Sequence, residues 1–184
     1  MTAPPRTHAP QQPIGRIPVL DVQPCVDAGA RPAKCVVDEV FDVTATVFRE
    51  GHDAVNASVV LTDPDGGEHL VPMVCTNPGL NAWVAPVSAD RTGHWAYRVE
   101  GWSDPYGTWE HDATIKVRAD VDTELMLEEG ALVLERAMGD GARTAAQRLV
   151  LADAVKGLRD AARPATVRLK AGTDPSVQAE LAAR

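Results

Sequence analysis

Aromatic side chains are scarce in this chain of 184 residues: two Phe, four Trp and two Tyr. Cysteine is scarcer, and three residues at no metal-ligand spacing exclude a disulfide framework and point to a reducing cytoplasm. No apolar run approaches the roughly 18 residues that a membrane span requires, which excludes a membrane partner. Positive charge is in deficit, with 18 Lys and Arg against 26 Asp and Glu and a formal charge of −8. Nucleic-acid binding draws on a cationic surplus, so a nucleic-acid partner is excluded too. Residues 1–13 hold no apolar core of a secretory signal and read as a disordered tail. What remains is an ordinary soluble composition, 45% apolar and 24% charged, long enough for one domain or two small ones.

The distribution is more informative than the totals. Every aromatic, His and Cys lies before residue 119, and residues 119–184 are rich in Ala, Leu, Arg and Glu. Aromatic and β-branched residues fit a pleated surface, whereas Ala and Leu favour helix, so strands are expected first and helices after. Phe41, Val43, Ala45 and Val47 alternate with Asp42, Thr44 and Thr46; Val55, Ala57, Val59 and Leu61 repeat the pattern. Asp63-Pro64-Asp65-Gly66-Gly67 is a turn, after which His69–Cys75 returns as a strand that Pro72 marks as an edge or a bulge. Trp83–Val87, Trp95–Val99 and Trp109–Val117 continue the series, joined by Val19–Val26 and a short piece near Lys34–Val37. Seven or eight strands at this spacing predict an immunoglobulin-like β-sandwich over residues 14–118.

From residue 119 the period changes. Asp122 or Thr123 can cap a helix in which Leu127, Ala131, Leu134 and Met138 share one face, and Gly139-Asp140-Gly141 breaks it. A second helix over about Arg143–Ala162 places Leu151, Val155, Leu158 and Ala162 on one stripe and ends at Pro164. Asp174-Pro175 starts a third, whose stripe of Val177 and Leu181 stops with the chain. Two helices and a stub cannot bury their apolar faces alone. The reading is therefore a mostly β chain with a helical appendage, residues 119–184 being a truncated helical bundle cut from something longer.

No catalytic constellation is present, and no cofactor or metal site is expected. The chain lacks G-x-S-x-G, H-E-x-x-H and a phosphate-binding G-x-x-x-x-G-K-[ST]. Cys25, Cys35 and Cys75 with His52, His69, His94 and His111 offer no pair at zinc-ligand spacing; the cysteines read as small buried hydrophobes and the histidines as turn residues. The neighbours His52 and Asp53 read as a solvated loop. Glu124, Glu128 and Glu129 read as a solvated helix face, since adjacent carboxylates on a helix diverge by about 100° and cannot flank one glycosidic bond. The best binding candidate is Trp102-Ser103-Asp104-Pro105-Tyr106-Gly107-Thr108-Trp109. Read as a hairpin tip, it offers Trp102, Tyr106 and Trp109 as an interface or sugar contact, against the plainer reading that these rings plug the end of the sandwich.

The stretch Gly15–Pro24, then Arg31-Pro32-Ala33-Lys34 and Glu39-Val40-Phe41, leads to Ala45–Asp53; Trp95–Glu100 with Trp102–Pro105, and Glu124–Gly130 with Leu134–Ala137, follow in collinear order. Together they resemble the start of the bacterial α-1,4-glucan:maltose-1-phosphate maltosyltransferases, in particular actinobacterial members. The resemblance implies a cytoplasmic homodimer that extends α-1,4-glucans with maltosyl units from maltose 1-phosphate, retaining anomeric configuration. It implies an α-amylase-type (β/α)8 barrel, with an Asp nucleophile, a Glu acid/base and no redox cofactor, preceded by a β-sandwich carrying an inserted helical bundle that builds much of the dimer interface. This chain resembles that preceding part, so no catalytic residue carries over to any position here, and its own role is dimerisation and support of the barrel. Cys25, Cys35 and Cys75 depart from the family's pattern. The alternative is a free-standing carbohydrate-binding or protein-interaction module built on the aromatic segment.

Overall fold

The computed structural model describes residues 16–182; the expected tail at 1–13 lies outside them. Seven strands come first: β1 Val19–Gln23, β2 Phe41–Val47, β3 Val55–Thr62, β4 Glu68–Pro72, β5 Val74–Asn77, β6 Ala82–Val87 and β7 Ala96–Ser103. Five α-helices follow: α1 Pro105–Arg118, α2 Thr123–Met138, α3 Ala145–Arg159, α4 Ala165–Gly172 and α5 Pro175–Ala182. The strands form two antiparallel sheets, one ordered β1-β2-β6-β5 and the other β4-β3-β7. The chain is thus mixed, with sheets and helices in sequence.

Alternation builds the sheets as expected. Val43, Ala45 and Val47 of β2 face Ala57, Val59 and Leu61 of β3 across one core, closed by Trp83, Ala85 and Val87 of β6. Trp83 is wholly apolar except for its N–H, which donates to the carbonyl of Val47 at 3.0 Å. Pro72 does mark an edge, and more: it ends β4, after which buried Met73 carries the chain across to β5 in the other sheet. In β3 the alternation fails, for Ser58 and Val60 on its second face are buried as well. Arg98 on β7 reaches across β3 to Glu68 on β4 at 2.7 Å, and also holds Glu100 at 2.7 Å. The aliphatic stem of such a bridge covers apolar surface while its charged head stays in water. The segment near Lys34–Val37 forms no strand, and β1 stops at Gln23 short of Val26.

The main correction concerns Trp109–Val117, which is not a strand but most of α1. Its alternating pattern conceals an i, i+4, i+8 stripe, and that stripe is what packs: Trp109, Ala113 and Val117 are buried while His111 and Ile115 stand in solvent. The start signal is Asp104-Pro105, the same N-cap-and-proline pair that opens α5 at Asp174-Pro175. Asp104 Oδ1 accepts from the N–H of Gly107 at 2.8 Å, so Pro105 and Gly107 form a first helical turn and no hairpin tip. The change from strand to helix therefore falls at residue 104, not near 119.

With α1 added, and with α4 starting just after Pro164 where the sequence reads only a stop, the helices bury their apolar faces among themselves. Leu127, Ala131 and Leu134 of α2 meet Leu151, Val155 and Leu158 of α3, with Leu169 of α4 and Val177 of α5 closing the cluster. Helix α3 ends at Arg159, which leaves Ala162 exposed in the link to α4. Thr144 and Gln147 close a capping box at its start. The expected inability of the helices to form their own core is overturned by these two extra elements.

Candidate functional site

Sheets and helices meet at Ser103-Asp104-Pro105, where β7 runs directly into α1. Four hydrogen bonds fix the joint. The Asp104 N–H donates to the Ala54 carbonyl at 2.9 Å, and the Ala54 N–H donates to Thr108 Oγ1 at 2.8 Å. The Thr108 hydroxyl donates back to the Asp104 carbonyl at 2.8 Å, and the Asp104 cap completes the set. Arg49, leaving β2, adds a bond to Ser103 Oγ at 3.0 Å and an ion pair with Asp53 at 3.0 Å.

Two clefts flank this joint. One, of about 470 Å³, is lined by Arg49, Asp53, Trp109, Asp112, Glu129 and Arg136. The other, of about 540 Å³, lies between the β4-β3-β7 sheet and the helices and is lined by Asn56, Trp102, Tyr106, Asp140, Arg143 and Gln178. A third cavity, of about 570 Å³, sits at the far end of the sheets against Cys25, Cys35, Phe41, His94, Trp95 and Tyr97.

The three aromatics singled out from the sequence part company. Trp109 is 4% exposed and sits at the centre of the helical core, its indole N–H donating to the Met126 carbonyl at 2.7 Å. It packs at a tilt against Tyr106, ring centres 5.6 Å apart. Tyr106 is half-buried; its hydroxyl donates to the Gly172 carbonyl at 3.0 Å, and burial, with Glu110 nearby, pushes that hydroxyl above its usual pKa. Trp102 is half-buried on β7, and with Tyr106 it lines the second cleft. Trp102 and Tyr106 thus share a cleft wall, while Trp109 points away into the core.

The remaining candidates are scattered. Cys25 and Cys35 are exposed rather than buried, Cys75 is half-buried, and all three are free thiols. His52 and His94 are exposed in loops, but His69 belongs to β4 and His111 to α1, so these two are not turn residues. Glu124 pairs with buried Arg168 at 2.7 Å, and Glu128 pairs with Arg159 at 2.6 Å, the Arg159 bridge extending to Glu135. The His69–Asp63 contact of 3.3 Å belongs to a turn brace: Asp63 also accepts from the N–H groups of Gly67 and Asp65 and pairs with Arg91. Among the described residues no Ser, Thr or Cys side chain hydrogen-bonds a histidine, and no three His, Cys, Asp or Glu side chains are grouped to hold a metal ion. No described helix is long and apolar enough to cross a membrane. Among the described residues the arrangement offers two clefts beside the joint.

Sequence reasoning missed Asn56, Asp140, Arg143 and Gln178, which come to the second cleft from β3, the α2–α3 link and α5. The one local signal was Asp104-Pro105, which sets the direction in which α1 leaves the sheet.

Residues 15–184 match the family described as alpha-1,4-glucan:maltose-1-phosphate maltosyltransferase, domain N/S. Over 170 residues, 92% of the chain, it is 54% identical to alpha-1,4-glucan:maltose-1-phosphate maltosyltransferase 1 of Streptomyces coelicolor and 51% identical to maltosyltransferase 2 of the same organism. The match takes in 25% of each of those proteins. It is 36% identical to the protein of that name from Mycobacterium tuberculosis, over 91% of this chain and 26% of that one. The chain spans about a quarter of the length of these curated relatives.

Proposed function

The chain belongs to the α-1,4-glucan:maltose-1-phosphate maltosyltransferase family, as its domain N/S, and from that premise we propose that it is the non-catalytic portion of an enzyme that extends α-1,4-glucans with maltosyl units from maltose 1-phosphate. Its own role is to support a catalytic barrel and to build a homodimer interface, in the cytoplasm. The observation that carries this reading is the match over residues 15–184, which takes in about a quarter of the relatives' length.

The finer architecture follows the same reading. The orders β1-β2-β6-β5 and β4-β3-β7 correspond to the A-B-E-D and C′-C-F strands of an immunoglobulin-like sandwich. Where a last strand G would lie beside β7, the chain turns into α1. We divide it at residue 104, with the sandwich before and the helical bundle after, in place of a boundary at 118.

Two measurements test the reading. The native gene product is expected at an intact mass several-fold above 19.6 kDa, and to release phosphate from maltose 1-phosphate when given a maltooligosaccharide acceptor. Residues 1–184 alone are expected to release none. Turnover by the 184-residue chain, or a native product of 19.6 kDa without transferase activity, overturns it.

A further inference from the structure

We infer that the cleft between the β4-β3-β7 sheet and the helices is a binding site for a short α-1,4-linked glucan, separate from any catalytic centre. The α-1,4 linkage rests on the proposed function; the class of ligand, a neutral oligosaccharide, rests on the cleft itself.

Two rings of the cleft, Trp102 and Tyr106, are half-buried and are held from opposite sides of the joint, one by β7 and one by the first turn of α1. Half-buried aromatic rings present apolar faces with fixed geometry, which suits the C–H faces of a hexose. Around them stand Asn56, Asp140, Arg143 and Gln178, planar groups that bond hydroxyls in pairs.

Three of these are anchored by the backbone, Asn56 and Asp140 through one polar atom and Arg143 through two, and each keeps another for a ligand. Asn56 accepts from the Ala57 N–H through Oδ1, leaving its amide donors. Asp140 accepts from the Ala142 N–H through Oδ1, leaving Oδ2. Arg143 donates to the Ala137 carbonyl through Nε and to the Glu180 carbonyl through Nη1, leaving Nη2. Gln178 is tied to Glu110 at 2.7 Å and orients that carboxylate. Such anchoring pre-orients the side chains, so that binding does not have to order them.

The charges are mixed, Asp140 and Glu110 against Arg136 and Arg143, so the cleft selects no ion and suits a neutral polyhydroxyl chain. A volume of about 540 Å³ lies within the range of small-ligand sites. Leu70, Pro72, Val133 and Leu181 also line the cleft, and small-ligand sites combine such apolar walls with a few placed polar groups.

The test titrates maltotriose and maltoheptaose into the 184-residue chain, read by tryptophan fluorescence and by amide and indole NMR shifts. Saturable binding in the millimolar range is expected, with shifts clustered at Trp102, Tyr106, Asp140 and Gln178. Trp102→Ala is expected to weaken binding about tenfold, and Asp140→Ala several-fold with an unchanged melting curve. Asp140 is exposed and outside the helices, so that variant decides the matter if Trp102→Ala does not fold. No saturation at millimolar sugar, shifts elsewhere, or wild-type affinity in Asp140→Ala overturns the site. Equal affinity for β-linked cellotetraose overturns the α-1,4 linkage. If the native enzyme transfers maltosyl units while the chain binds no sugar, only this inference fails; if it transfers none, the reading of the whole protein fails.

Discussion

At the scale of single residues, Trp109 shows why composition alone misplaces a side chain. Its indole fits between two helices because each presents a glycine: a Cβ on Gly130 of α2 would overlap the ring, and one on Gly172 of α4 would stand 2.8 Å from it. Gly130→Ala is therefore expected to destabilise the helical part by about 2 kcal/mol, overpacking outweighing the roughly 1 kcal/mol gain in helix propensity. Urea unfolding followed through Trp109 fluorescence measures this; a variant as stable as the parent would show that the indole has room to move. The sequence displays Trp109 and Gly130 plainly but not their contact, since nothing local joins residues 21 positions apart.

At the scale of elements, the β3–β4 turn is legible from its residues and carries a prediction about pH. Asp63 is held at about 2, below its usual 3.8, chiefly by the N–H of Gly67, with His69, Asp65 and Arg91 assisting and partial burial opposing. A carboxyl held low in the fold stabilises it above the unfolded pKa and loses that contribution as pH falls through the folded one. The melting temperature should accordingly fall between about pH 3.8 and about pH 2 more steeply in the parent than in Asp63→Asn. Thermal melts of both from neutral pH downward check this, and a gap that stays constant across that window would remove Asp63 as the cause. Helix α1 marks the limit of such local reading. Trp109–Val117 satisfies a two-residue period and a four-residue period at once, and only the hydrogen-bonded cap at Asp104 and the waiting cavity in the helical core select between them.

At the scale of the whole molecule, the sheets and the helices bury separate clusters, one around Val43, Val59 and Ala85 and one around Leu127, Leu134 and Leu158. The strongest packing lies within each group, and the joint at residue 104 rests mainly on hydrogen bonds. Two cores joined this way should open separately. Hydrogen exchange is expected to give different opening free energies for amides of β2 and β3 and for those of α2 and α3, and Trp83 and Trp109 to report different urea midpoints. Coincident transitions would mean that the joint couples the two cores into one cooperative unit.

The sequence by itself determined the order of strands before helices, the turn at Asp63–Gly67, the apolar stripes of α2 and α3, and the family, because these depend on residue type and spacing along a short stretch. The tertiary structure alone decided that Trp109–Val117 is helical, that α4 completes a helical core, that Pro72 sends the chain between sheets, and that Trp102 and Tyr106 share a cleft with Asn56, Asp140, Arg143 and Gln178. Those outcomes turn on which surface stands ready to receive each face, and in this chain that surface comes from residues tens of positions away.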